Sequence, residues 1–360
     1  MISRTEVPEA HPHGANASHS RALMTCRGRV SATCAILLAL SPPTLGQTTN
    51  EELKKEEIPR AVRAPNSQAK AAEKEDPELQ RARSLLDQGS LDDAERTARD
   101  YVSRQRDSAD GHFLLGLILF RKAKPQDSLA EYTEGAKHRA PNAFDLKIVA
   151  LNYVLLLDYA DADHWLTRSL QSNPRDAQAW YYLGRSKYNE NRFEEAVSAF
   201  EQCLKLEPRN VKAEDNLGLA YAGLGRTDEA RAAYQKAIAW QSNNLNKNSG
   251  PFTNMGSLLL EQNRAEEAVT YLLQAVQIEP GELRVHEELG KTYSRMNKLH
   301  EAQGEFEKAV AISPNKAALH FMLGQVYKKL GLSEKATAEL ERGAALNAAQ
   351  DQTKPAAPPK

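Results

Sequence analysis

Metal ligands and proton carriers in the body of this chain are scattered. Histidine occurs there at His112, His138, His164, His286, His300 and His320. No two of these form a His-x3-His pair, and no cysteine joins them, so the spacing offers no metal site. Three cysteines occur in all. Cys26 and Cys34 lie near the N-terminus and leave Cys203 alone, which excludes a disulfide framework in the body. The glycines in "GLG", Gly223 to Gly225, end a helical stretch instead of opening a strand-to-helix turn, so they make no phosphate cradle. Glu194-Glu195 and Glu266-Glu267 recur at one phase and open helices, where negative charge suits the dipole. The expectation from these residues is a protein that is not an enzyme, with no cofactor and no metal.

The elements that position these residues are periodic. Glycine or alanine recurs at steps of 34 residues: Ala82, Gly116, Ala150, Gly184, Gly218, and then Gly256, Gly290 and Gly324 after a slip of four residues at 245–248. In phase with them run Ala94, Ser128, Ala162, Ala196, Ala230, Ala268, Ala302 and Ala336. A bulkier series, with Phe200, Tyr234, Leu272 and Phe306 among its members, follows four places later. Eight units result, at 75–108, 109–142, 143–176, 177–210, 211–244, 249–282, 283–316 and 317–350. Apolar residues spaced by three and four make each half-unit an amphipathic helix. Gly89, Asn191, Gly225, Asn263, Asn297 and Gly331 stop the first helix, and Pro174, Pro208, Pro280 and Pro314 end the second. The expected fold is all-α, a solenoid in which each unit buries its face against its neighbours. His112, His286 and His320 share the fourth place of their units with Trp180, which reads as packing within the repeat.

Outside the array the composition changes. From Met24, Arg27 and Arg29 precede an eleven-residue apolar run, Val30 to Leu40, and then small residues before Gln47. That order reads as a secretory signal within a leader spanning 1–46, with Met24 as the start and no membrane span after cleavage. Residues 47–74 read as a charged flexible linker and 351–360 as a disordered tail. The expected location is outside the cytoplasm, periplasmic or secreted. The net charge of -1 supplies no field that would select nucleic acid.

Unit four carries Trp180, Leu183, Gly184, Ala196, Phe200 and Pro208; unit seven carries Leu289, Gly290, Tyr293, Ala302, Phe306, Ala309 and Pro314. These residues resemble the W-x2-L-G-x2-Y…A-x3-F…A…P framework of the tetratricopeptide repeat family. Lys187 and Cys203 depart from it in unit four, and Arg81 and Ala98 in unit one. The resemblance implies helix-turn-helix pairs in a right-handed superhelix, with a concave groove lined by places two, five, nine, twelve and thirteen of each first helix. Carried over, those places give Phe113, Leu117 and Phe120 in unit two, and Phe144, Leu151, Val154 and Leu155 in unit three. Unit four gives Tyr181, Arg185, Tyr188 and Asn189. Arg284, Lys291 and Arg295 follow in unit seven, then Lys328 and Lys329 in unit eight.

The groove so read runs from apolar through aromatic to basic and suits a protein partner or an extended peptide with apolar anchors and acidic groups. The competing reading is that the apolar residues close the core and the lysines only solvate the surface. Two specialised grooves of the family do not fit. No consecutive units supply the lysines, asparagines and arginine of a carboxylate clamp, and only Asn216 and Asn254 occupy the place of an asparagine ladder. The function that follows is an exported scaffold for protein–protein interaction. The alternative is an accessory subunit of cell-envelope polysaccharide assembly or export. The Asn-rich slip reads as a longer loop, with a hinge as the other possibility. The last unit has no further helix to cover it, which invites self-association.

Overall fold

Small residues in register across two helices let their backbones approach, and this sets the architecture. A computed structural model describes residues 76–242 and 247–353, with side chains to 349, all within the segment 44–360. The leader at 1–46, the linker at 47–74, residues 245 and 246 of the slip and the tail beyond Thr353 lie outside the described residues. Sixteen helices and no strand occur among the described residues. They are α1 (Pro77–Asp87) and α2 (Leu91–Arg104), α3 (Ala109–Arg121) and α4 (Pro125–His138), α5 (Ala143–Leu155) and α6 (Tyr159–Ser172), α7 (Ala177–Asn189) and α8 (Phe193–Leu206). Then follow α9 (Val211–Gly223) and α10 (Thr227–Trp240), α11 (Gly250–Glu261) and α12 (Ala265–Ile278), α13 (Leu283–Arg295) and α14 (Leu299–Ile312), α15 (Ala317–Lys329) and α16 (Ser333–Thr353). The final helix enters the stretch expected to be disordered and reaches Thr353.

Each odd-numbered helix packs on the even-numbered one that follows it, and each pair packs on the next, the arrangement of an α-solenoid. The glycine of the first helix lies under the bulky residue of the second. A Cβ built on Gly218 would lie 2.5 Å from the Tyr234 ring. Gly184 under Phe200, Gly256 under Leu272 and Gly290 under Phe306 repeat the contact. Phe200, Tyr234, Leu272 and Phe306 are all fully or almost fully buried, the first three in one core cluster and Phe306 in the next.

Capping residues set the helix starts. Asp176 accepts from the Ala179 amide and Asn210 from the Ala213 amide, both at 2.9 Å, while Asn142 and Asp145 form a reciprocal capping box. Between the helices of each pair one residue takes the left-handed conformation. It is glycine at 89, 225 and 331 and asparagine at 191, 263 and 297, but Ala123 (φ 53°) and Leu157 (φ 62°) take it too. A side chain with a Cβ and no polar group to bond the local backbone is strained there by about 1–2 kcal/mol. Leu157 also leaves 49% of its surface exposed. Replacing it with asparagine is expected to raise unfolding free energy by about 0.5–1 kcal/mol in urea denaturation, since asparagine tolerates this region. An unchanged or lowered midpoint would show that the turn is not strained.

Candidate functional site

The first helices of the N-terminal pairs turn their larger residues inward. Phe113 is 5% exposed, its ring 5.6 Å from that of Tyr132 and covered by Arg139 at 4.8 Å. Phe120 is buried and Leu117 half-buried beside it. On α7, Tyr181 packs against Phe200, and buried Arg185 lies over the rings of Tyr181 and Tyr182. Tyr188 is buried against Phe193, and burial pushes its phenol up to about 12. Asn189 donates to the Arg185 carbonyl at 2.8 Å. These side chains hold the helices in place, as in the core-closing reading of the same positions.

The basic end is different. Leu260 at the end of α11, Lys291, Ser294 and Arg295 on α13, Phe306 on α14, and Met322, Gln325, Val326 and Lys329 on α15 line a pocket of about 240 Å³. Leu260, Phe306 and Val326 are buried and give it an apolar floor. Lys291, Arg295 and Lys329 bring three cations to one opening. Of the residues expected from the repeat places, the structure brings these three together and leaves exposed Lys328 out of the lining.

The cations are held to different degrees. Arg295 donates from Nη1 to the Leu260 carbonyl at 2.6 Å, so it also ties off the last turn of α11. Lys291 sits 2.9 Å from Glu287 and 2.9 Å from Glu288. Lys316 reaches Glu287 at 2.7 Å. Burial pushes the Glu287 carboxyl up, but Lys291 and Lys316 outweigh it and hold the group below its usual range. Lys329 is exposed at the rim. The opening therefore joins an apolar floor to three cations, of which Lys291 is already paired with Glu287 and Glu288 and Lys329 stands exposed.

Leu260 and Ser294 stand at place twelve and Gln325 at place nine, so the same repeat rule reaches them. Phe306 belongs to the core series, and its sequence position alone does not show that it also floors a pocket.

Outside the pocket lining, a polar chain links three pairs. Arg284 on α13 donates to Asn254 Oδ1 at 2.6 Å, and Asn254 on α11 donates from Nδ2 to Asp215 Oδ1 on α9 at 2.8 Å. Asp215 is 7% exposed and Asn254 2%. Burial pushes the Asp215 carboxyl up to about 7, against the downward pull of the Asn254 hydrogen bond and the Arg284 charge. Cys203 is fully buried on α8, and burial pushes its thiol up to about 12, so it is poorly suited to act as a nucleophile. Among the described residues no group of three or more His, Cys, Asp or Glu is placed to hold a metal ion. No described helix is long and apolar enough to cross a membrane.

Comparison with known proteins identifies the repeat. Models described as tetratricopeptide repeat match residues 79–144 and 183–244, and 251–282, 283–316 and 317–350. The peroxisomal targeting signal receptor of Saccharomyces cerevisiae is 35% identical over 91 residues, which is 25% of this chain and 14% of that protein. The tetratricopeptide repeat-containing protein trd-1 of Caenorhabditis elegans is 25% identical over 154 residues, 42% of this chain and 19% of that protein. Protein O-mannosyl-transferase TMTC3 of Homo sapiens is 28% identical over 143 residues, 36% and 15%. The matched stretches thus span less than a fifth of each of these relatives.

Among solved structures, a tetratricopeptide repeat protein from Parabacteroides merdae ATCC 43184 superposes with a TM-score of 0.59 at 18% identity, over 69% of this chain and 97% of that one. A chain of the APC/C hetero-tetramer Cut9-Hcn1 superposes at 0.55 with 17% identity, over 75% and 52%. Both likenesses concern the fold. With family models matched over more than half its length, and with sixteen helices paired around the small and bulky residues of the repeat, the chain belongs to the tetratricopeptide repeat family.

Proposed function

We propose that this protein is an exported, non-catalytic scaffold that holds an extended segment of a partner protein in the pocket between α11, α13, α14 and α15. The observation that carries the reading is three cations, Lys291, Arg295 and Lys329, over the floor made by Leu260, Phe306 and Val326. A segment with one large apolar side chain and a nearby Asp, Glu or chain-terminal carboxylate fits that pattern. The family and the 35% identical stretch in a protein named as a targeting signal receptor support peptide recognition. The order of charges, apolar run and small residues at 24–46 supports export.

Panning a displayed random-peptide library against the full chain tests the reading. Sequences in which a large apolar residue lies within about three positions of a carboxylate are expected to dominate, the separation an extended strand allows across one pocket. Enrichment of neutral or basic sequences would overturn it. Retention of acidic glycans with no peptide enrichment would favour the polysaccharide-assembly role instead.

A further inference from the structure

The fourth place of the first helix carries histidine three times: His112 on α3, His286 on α13 and His320 on α15. In each ring both nitrogens are engaged. Nε2 lies 2.8 Å from the Arg106 carbonyl in the first case, 2.8 Å from that of Pro280 in the second and 2.9 Å from that of Pro314 in the third. Nδ1 lies 2.7 Å from Glu131, 2.6 Å from Glu305 and 2.6 Å from Glu339 in the same order. The carbonyl belongs to the turn that ends the preceding pair, and the carboxyl to the second helix of the ring's own pair. Each imidazole therefore joins three segments of chain.

A carbonyl oxygen only accepts, and so does an ionised carboxylate. Both ring nitrogens must then carry hydrogen, or the carboxyl must carry the missing one. Either way each site contains one proton more than a neutral imidazole and a carboxylate together. Trp180 supplies the contrast at the same place of α7. Its Nε1 donates to the Pro174 carbonyl at 2.9 Å, and Ala199 stands where the other pairs have glutamate. That N–H does not titrate.

We propose that the three sites are proton-held clasps that stiffen the junctions between successive helix pairs and release as pH rises. When the extra proton leaves, the ring keeps a single N–H, and one of its two contacts becomes acceptor against acceptor. The junction loses a charge-assisted hydrogen bond, so the stabilisation is present on the acid side and absent on the alkaline side. Other charged groups face these sites. The His138 ring on α4 stacks 6.4 Å from His112, with Glu134 nearby. Lys308 on α14 takes Oε1 of Glu305 at 2.8 Å and leaves Oε2 for His286, with Tyr293 of α13 nearby. Tyr327 on α15 lies near Glu339 and bonds Glu307 on α14. His286 and His320 sit on α13 and α15, the two helices that carry the pocket's cations. The clasps do not depend on what the pocket binds.

Hydrogen exchange on the full chain at about pH 6 and about pH 8.5, corrected for intrinsic exchange, tests the proposal. Amides in 281–286 and 315–320 are expected to lose about tenfold or more of their protection at the higher pH, the size of one charge-assisted bond. Those in 175–180, held by Trp180, are expected to keep theirs. A variant with Glu131→Gln, Glu305→Gln and Glu339→Gln closes each clasp without the extra proton, because the amide donates to Nδ1, and its response to pH should vanish. Equal pH responses in the clasped and Trp180 turns would overturn the proposal, as would a Gln variant that keeps the native response.

Discussion

Gly218→Val is expected to lower the unfolding free energy by about 3 kcal/mol or more. A Cβ at 218 would lie 2.5 and 2.7 Å from two carbons of the Tyr234 ring, which is 1% exposed and has no space to withdraw. Helices α9 and α10 must part, and a solenoid pair has only its neighbours to hold it. Urea denaturation reads the loss. Gly304→Ala on α14 is the control: nothing lies within 4 Å of its Cβ, so alanine should add about 0.5–1 kcal/mol through helix propensity. A loss below about 1 kcal/mol at 218 would mean that the close approach of the two helices is not what fixes the pair.

Asp215→Asn is expected to stabilise the protein at alkaline pH and much less at acid pH. Burial raises the folded carboxyl to about 7, well above the ordinary aspartate value. A raised carboxyl favours the protonated form in the fold, so its contribution is greatest below the unfolded value. That contribution declines as pH rises from about 4 to about 7, then stays low. Asparagine keeps an acceptor for Asn254 without a charge to bury. The stability difference between variant and native chain should therefore grow by a few kcal/mol between about pH 4.5 and pH 8. Denaturation midpoints at the two pH values measure it, and a constant difference would show that Asp215 is ionised at little cost.

The repeat was legible because it is periodic. Glycine lies under the bulky residue in six of the eight pairs, and six of the left-handed turns carry glycine or asparagine. Ala123 and Leu157 were missed because neither residue favours that conformation, and the stacking of the pairs overrides local preference. Phe113, Phe120, Tyr181 and Tyr188 occupy places that the family resemblance assigns to a groove, and in the structure all four are buried. Burial depends on how tightly neighbours stack, which no single unit encodes. The histidine clasps left a trace in the sequence: histidine at place four is accompanied in its own unit by Glu131, Glu305 or Glu339 nineteen residues on. The pairing joins two helices, so reading each helix by itself does not reveal it.

Calorimetric titration of a peptide recovered by panning, against the native chain and against Arg295→Ala with Lys329→Glu, tests the central claim most directly. These two substitutions leave Lys291 with Glu287 and Glu288; because Arg295→Ala also frees the Leu260 carbonyl, Lys329→Glu alone is run beside it as the variant that leaves α11 and the floor untouched. Binding to the native chain is expected to weaken with added salt and to fall by about tenfold or more on the variant, as loss of rim charges against a carboxylate requires. Equal affinity for the two proteins would contradict the account and move the binding surface away from the pocket.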